Sequence, residues 1–415
     1  MKKSFIFLLA IFVCALGSAK AQSELNSETN SPAAANLSTD QSLSTADIAG
    51  RISEARRLLS SRPASNVSRE VVRVATFDTD ASQTTVFSLP KTEFLKRDAV
   101  LFATAEAGRT LRVQVVRANG VNTAVTITDT STGRSLVPLL AEFPIIKGGA
   151  LTEMAYYTSA HPALLSPSVT SAGKSYVRTM LEAASQRLAA DGVTVPTDIV
   201  DIAEHLCIVE HTDHKRFMNE DHAVLFPEIL SLYALNQGNT YRYSVSTAGA
   251  GGMIQMIPRT YEAIRQQHPG VSLQADFVKG MRDHANALEA MLLYMNDTWN
   301  NLAESTEVQN ALSNGIATKP ELMAAGYNSN PMRLPLYLKN GGAAWRGLIP
   351  AETQIYLRIY SSVDKTLDFG ATSGKASAKA RIAAFVARPS SAATMISWLS
   401  RSLPMSGSYL RTLLL

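Results

Sequence analysis

One carboxylic acid in this 415-residue chain stands where its surroundings could keep it protonated. Between Thr197 and Glu210, the apolar residues Ile199, Ile202, Ala203 and Leu206 fall on one helical stripe, and position 210 continues it. A carboxylate on that stripe points toward a core rather than into water. Burial disfavours its charged form and raises its pKa, which suits a group that must donate a proton near neutral pH. The competing account is an acid at a helix end, paired with arginine or exposed by fraying. Periodicity alone leaves the two open.

Three further segments carry chemistry-bearing residues. Ser246-Thr247-Ala248-Gly249-Ala250-Gly251-Gly252-Met253-Ile254-Gln255-Met256-Ile257-Pro258 lets backbone approach a neighbour closely, and its apolar run leads into a helix near Pro258 with Gln255 as its polar member. No GKS or GKT follows, so it is not a phosphate loop. Ala324-Ala325-Gly326-Tyr327-Asn328-Ser329-Asn330-Pro331 ends a short helix with an aromatic hydroxyl and an amide. Leu348-Ile349-Pro350-Ala351-Glu352-Thr353-Gln354-Ile355-Tyr356 opens another, with Glu352 in its first turn. Helix-dipole stabilisation is the plain account of that acid.

A metal site is the rival reading. His205, His211, His214 and His222 crowd together with Asp213 and Asp221, and a zinc hydrolase needs three protein ligands and an open position. The segment lacks an HExxH pair, and partly exposed histidines in a polar loop explain it more simply. The expectation is no metal and no cofactor.

Taken in order, the four segments resemble the lytic transglycosylases of glycoside hydrolase family 23, which have a goose-lysozyme-like fold. That family has a helix ending in a catalytic Glu, then Ser-x-x-Gly-Ala-x-Gly-Leu-Met-Gln-x-x-Pro, then Ala-x-Tyr-Asn and a Pro-x-Glu-Thr-x-x-Tyr helix. Ser246, Gly249, Ala250, Gly252, Gln255 and Pro258 keep the second spacing, with Met253-Ile254 replacing Leu-Met. Tyr327-Asn328 keeps the third, with Gly326 where the family often has alanine. Pro350, Glu352, Thr353 and Tyr356 keep the fourth. The likeness covers about residues 195–362. It departs in having Glu210-His211 for the usual Glu-Ser, and in a gap of 36 positions from Glu210 to Ser246 where the family has about a dozen. That insertion holds Phe226, Ile229, Leu230, Leu232 and Tyr233 at helical spacing, followed by Tyr241 and Tyr243, and reads as an extra helix beside the cleft. Glu204, Glu220 and Glu228 are the other candidate acids, but only Glu210 both continues the stripe and ends the helix.

The resemblance implies a substrate, the glycan strand of peptidoglycan, cut between N-acetylmuramic acid and N-acetylglucosamine. It implies that Glu210 protonates the leaving oxygen and then, as a base, helps the muramyl C6 hydroxyl attack C1 to leave a 1,6-anhydro ring. By the same likeness Ser246, Gly249, Gln255, Tyr327, Asn328, Glu352 and Tyr356 bind the sugars or shape the cleft. Two alternatives stand beside this: a lysozyme-like muramidase that uses water, and a non-catalytic wall-binding protein.

The elements that must position these residues follow from composition and period. With 46% hydrophobic and 18% charged residues the chain is an ordinary globular protein, large enough for more than one core. Residues 1–21 read as a signal peptide: Lys2 and Lys3, the apolar run Phe5 to Leu16, and Ala19-Lys20-Ala21 before the cut. The run is shorter than the ~20 residues a spanning helix needs. The expected location is therefore the periplasm or cell envelope. Removing Lys2, Lys3 and Lys20 leaves 36 basic against 35 acidic residues, which argues against a nucleic-acid partner. Cys14 leaves with the signal, so Cys207 has no disulfide partner and reads as a buried structural thiol.

Residues 22–47 read as a flexible linker, and 48–66 as a short amphipathic helix with Ile48, Ile52, Ala55 and Leu58 or Leu59 inward. From Val71 to Ile146 the period becomes that of strands: Val71 to Val74, Thr84 to Leu89, Val100 to Ala103, Leu111 to Val116 and Ala124 to Thr128, separated by turn residues. The expectation is a small all-β accessory module at 67–150, with a cell-envelope protein as its candidate partner. The helical period resumes near Ser175, with one helix closed by Asp191-Gly192 and another striped by Leu288, Met291, Leu292, Met295 and Trp299. The expected fold is thus α+β multidomain, the β module preceding a mainly α, lysozyme-like transglycosylase domain at 170–365 and a C-terminal extension at 366–415.

Overall fold

The computed structural model describes residues 45–61, 69–106, 108–367 and 369. The expected signal peptide, most of the linker and nearly all of the C-terminal extension lie outside those residues. The architecture is mixed α+β, a curled antiparallel sheet followed by a helical region. Helix α1 (Thr45–Ser60) occupies the expected amphipathic segment.

The strands are β1 (Val71–Asp78), β2 (Gln83–Pro90), β3 (Val100–Thr104), β4 (Thr110–Arg117), β5 (Ala124–Asp129), β6 (Ser135–Lys147) and β7 (Ala150–Tyr157), with helix α2 (Lys91–Phe94) after β2. Their order is β2-β1-β6-β5-β4-β3, and β7 also pairs with β6. The five β-branched runs each lie inside a strand. β6 and β7 extend the sheet past the expected runs, because β6 carries Pro138 and Pro144, residues that usually argue against a central strand. Pro138 sits beside a register shift in the β1–β6 ladder, where the missing N–H is tolerated. β6 spans three partners in succession: β5 at its start, β1 in its middle and β7 at its end. One face of the curl encloses Val72, Val74, Phe87, Leu111, Val113 and Ile127. Part of the other is covered by α1, whose Ile48, Ala55 and Leu59 pack on Ala75, Phe77 and Leu139.

The helical region contains α3 (Pro167–Ala190), α4 (Thr197–Val209), α5 (His214–Asn219), α6 (His222–Asn236), α7 (Pro258–Gln267), α8 (Phe277–Arg282), α9 (His284–Ala303), α10 (Thr306–Ser313), α11 (Lys319–Asn328), α12 (Leu334–Gly341) and α13 (Ala351–Thr366). α3 starts two turns before the expected Ser175. Its signal is local: Ser166 caps the helix by accepting from the Val169 N–H at 3.3 Å, and Pro167 follows. Its end is as expected, Gly192 taking φ +85° after Asp191. At the crossing of α3 and α6, a Cβ on Gly173 would lie 1.8 Å from the Leu230 carbonyl oxygen, so only glycine permits this approach.

α4 is the axis of this region. Every residue from Ile202 to Val209 is buried, with α3, α6, α9, α11 and α13 packed around it. A helix buried on all sides belongs to a core. Cys207 is buried within it, as expected, and burial pushes its thiol pKa up.

Sheet and helices meet along a seam. Leu232 of α6 joins the sheet's core, with Tyr241 and Tyr243 packed beside it. Arg117 of β4 pairs with Glu228 of α6 at 2.7 Å, and Glu153 of β7 accepts from Tyr243 at 2.6 Å and from Arg282 at 3.0 Å.

Candidate active site

Glu210 caps the C-terminal end of α4. The carbonyls of that end are satisfied around it: Tyr233 Oη donates to Cys207 O at 2.9 Å, and Thr212 Oγ1 donates to Ile208 O at 2.9 Å. The residue as a whole is half-buried, yet its carboxyl group sits among α4, α11 and α13. Desolvation there pushes its pKa up to about 8. The Tyr356 hydrogen bond opposes this, and the charge of Glu352 adds to it. A helix C-terminus, the negative end of the dipole, also disfavours a carboxylate.

The competing acids differ in one respect. Glu204 lies 3.1 Å from Arg178, Glu220 2.7 Å from Arg216, and Glu228 is held between Arg117 and Arg216. The groups acting on Glu210 are Tyr356 and Glu352, and no cation is among them. Among the described residues, Glu210 alone of the four has no ion-pair partner.

Tyr356, buried on α13, donates its Oη–H to Glu210 Oε1 at 2.5 Å. With Oε1 so engaged, an acidic proton is directed to the other oxygen. Tyr327, at the end of α11, donates to Ile254 O at 2.8 Å; burial and then the Glu210 charge hold its phenol well above the ordinary range. Asn328 Oδ1 accepts from Thr353 Oγ1 at 2.8 Å, tying α11 to α13. Glu352 is exposed in the first turn of α13.

The glycine-rich segment forms a tight loop closed by bridges of Gly251 to Val245 and to Met256. Ser246 Oγ accepts from the Ala250 N–H at 3.0 Å, and Gly249 turns at φ +78°. Gly252 passes so close to α8 that a Cβ would lie 2.2 Å from Met281 O. Gln255 adopts a left-handed backbone at φ +46° and folds its amide back, donating to Gly252 O at 2.8 Å and Ser244 Oγ at 3.2 Å. The structure therefore brings Glu210, Tyr327, Glu352 and Tyr356 together. Ser246, Gly249 and Gln255 hydrogen-bond or turn within the loop itself.

No protein-family model, curated protein or solved structure matches the chain. The site is accordingly read from its own geometry.

The histidines that suggested a metal site are dispersed. His205 engages Asp201 O and Asp364, His211 engages Met253 O, and His222 engages Phe217 O and Ser362. Among the described residues no group of three or more His, Cys, Asp or Glu is placed to hold a metal ion. The helix expected in the insertion is present as α6, preceded by the shorter α5. Reasoning from sequence gave no role to Glu153, which anchors Tyr243 just before the glycine-rich loop. Its partners are remote in sequence, so no local pattern marks it.

Proposed function

We propose that this chain is an exported peptidoglycan lytic transglycosylase that cleaves the MurNAc–GlcNAc β-1,4 bond and leaves a 1,6-anhydromuramic end. The observation that carries the reading is a carboxylic acid whose pKa burial pushes up to about 8, with no ion-pair partner among the described residues, beside a glycine-rich loop and two tyrosines. The motif order of the sequence supports the same assignment.

In this reading protonated Glu210 gives its proton to the glycosidic oxygen. The C1–O bond breaks and its electron pair leaves with that oxygen. The resulting carboxylate takes the proton of the muramyl C6 hydroxyl as its oxygen bonds to C1, so Glu210 ends protonated again and no water is consumed. Intramolecular attack gains from proximity what a bound water would lack. Tyr356 stabilises the carboxylate between the two proton transfers. Tyr327 and the loop form the wall against which a sugar is held.

Glu352 favours a second reading. It is the other carboxylate acting on Glu210, and a pair of carboxyl groups is what a hydrolase that activates water requires. Mass spectrometry of digested sacculi separates the two, because the anhydro product is lighter by one water. Wild type is expected to release anhydro-muropeptides, and Glu210→Gln to lose on the order of 10²–10⁴ in rate or more. Hydrated muropeptides would replace the transglycosylase with a muramidase. No products from folded wild type would leave the wall-binding alternative, and undiminished release by Glu210→Gln would remove Glu210 as the acid.

A further inference from the structure

His211 occupies the position after the acid, where the resembling family has serine. It packs face to face on Tyr241, ring centroids 3.3 Å apart and planes 1° from parallel. Its Nε2 lies 2.9 Å from Met253 O in the turn after the glycines. A carbonyl can only accept, so the proton sits on Nε2. Burial keeps the imidazole neutral, its pKa pushed down to about 3. The turn is thus gripped twice: His211 holds the Met253 carbonyl and Tyr327 the next one, of Ile254.

Tyr241 is itself unusual. Its backbone is left-handed, φ +55°, a true outlier for a bulky residue that persists only where surroundings over-determine it. Three neighbours supply that constraint. Tyr233 meets its ring edge-on at 5.4 Å, the Tyr157 phenol of β7 takes its backbone N–H, and His284 Nε2 donates to the preceding Thr240 carbonyl at 2.7 Å.

We infer that His211 is a positioning residue, and that the insertion 211–245 is a brace whose strained Tyr241 presses His211 into place so that Glu210 and the glycine-rich turn keep one fixed geometry. The inference rests on the proposed reaction, but its structural half can be read without turnover. The insertion is then neither a lid nor a spacer. It draws its rigidity from the sheet through Tyr157.

The test uses the full chain. His211→Leu removes the donor and is expected to lower kcat on the order of 10²-fold, the scale of a 1 Å misplacement, with KM little changed. His211→Gln, whose amide N–H reaches the Nε2 position, is expected to recover most of that loss. Tyr241→Ala removes the stack but not the hydrogen bond, and gives the same reading if His211→Leu does not fold. The groups facing Glu210 are Tyr356 and Glu352 of α13, Tyr327 of α11 and Cys207 of α4; His284 of α9 faces His211. None of these changes, so a basic limb of the pH–rate profile that moves down in His211→Leu reports Glu210 gaining access to water. Folded His211→Leu with wild-type kcat and an unmoved limb overturns the proposal, as does a His211→Gln as impaired as His211→Leu. If wild type turns over no substrate, the proposed reaction fails separately. Carbon-13 titration of the Glu210 carboxyl in wild type and His211→Leu then decides: a lower pKa in the variant supports the brace, an identical one refutes it.

Discussion

Replacing Glu210 by glutamine should stabilise the protein at neutral and alkaline pH while removing the proposed transglycosylase activity. The folded carboxyl titrates at about 8 against an ordinary value of 4.5. Between those limits the folded state holds a proton that the unfolded state has released, so stability falls as pH rises through that window. The contribution is intact below pH 4.5 and is lost by about pH 8. At 1.36 kcal/mol for each tenfold change in proton activity, with titration incomplete at both ends of the window, the fall between pH 5 and pH 8 is about 3.5 kcal/mol. Glutamine has nearly the same shape, still accepts from Tyr356, and does not titrate. Urea unfolding of both proteins at pH 5, 6, 7 and 8, with equal slopes checked, measures the difference directly. The gap between the curves should widen by about 3.5 kcal/mol from pH 5 to pH 8. Parallel curves, or a glutamine variant less stable at pH 8, would mean that Glu210 is an ordinary ionised carboxylate and would refute the argument for it as the acid.

Other outcomes follow from single contacts. Tyr356→Phe removes the hydrogen bond that holds the Glu210 pKa down, so the basic limb of the kcat/KM profile should move to higher pH. Gly173→Ala would drive a methyl into the Leu230 carbonyl at the α3–α6 crossing, and thermal unfolding should register a loss at or above the usual ~1–3 kcal/mol of overpacking. Cys207 is buried and its thiol is held neutral. In a chain carrying Cys14→Ser, it should resist a thiol reagent at pH 8 until denaturant is added.

The sequence was most legible where a single period runs uninterrupted. α4 and α9 show their stripes because one face repeats over three turns or more, and the five strand runs are visible because β-branched residues cluster between turn-formers. What escaped was set by tertiary contact. The start of α3 hides because Gly173 stands on its buried face, chosen for the approach of Leu230 and not for helix propensity. β6 hides because Pro138 and Pro144 interrupt it, and β7 because its sequence, Ala150 to Tyr157, alternates too weakly to register. The site divides in the same way. Glu210 could be named from its helical stripe, and Tyr327, Glu352 and Tyr356 from the motifs of the family that the chain resembles; the structure gathers all four. The insertion could be recognised as a helix, but not as a brace, since the His211–Tyr241 contact joins residues 30 positions apart through a backbone conformation that tyrosine rarely adopts.

The setting of α4 has a consequence for how the protein can fail. Local openings draw on regions with little buried apolar contact, whereas a helix enclosed on every side opens only with the whole domain. The acid stands at the tip of such a helix, with its last carbonyls tied to Tyr233 and Thr212. Partial fraying elsewhere leaves its geometry untouched, so heat should abolish the proposed activity and the tertiary structure together, as one event.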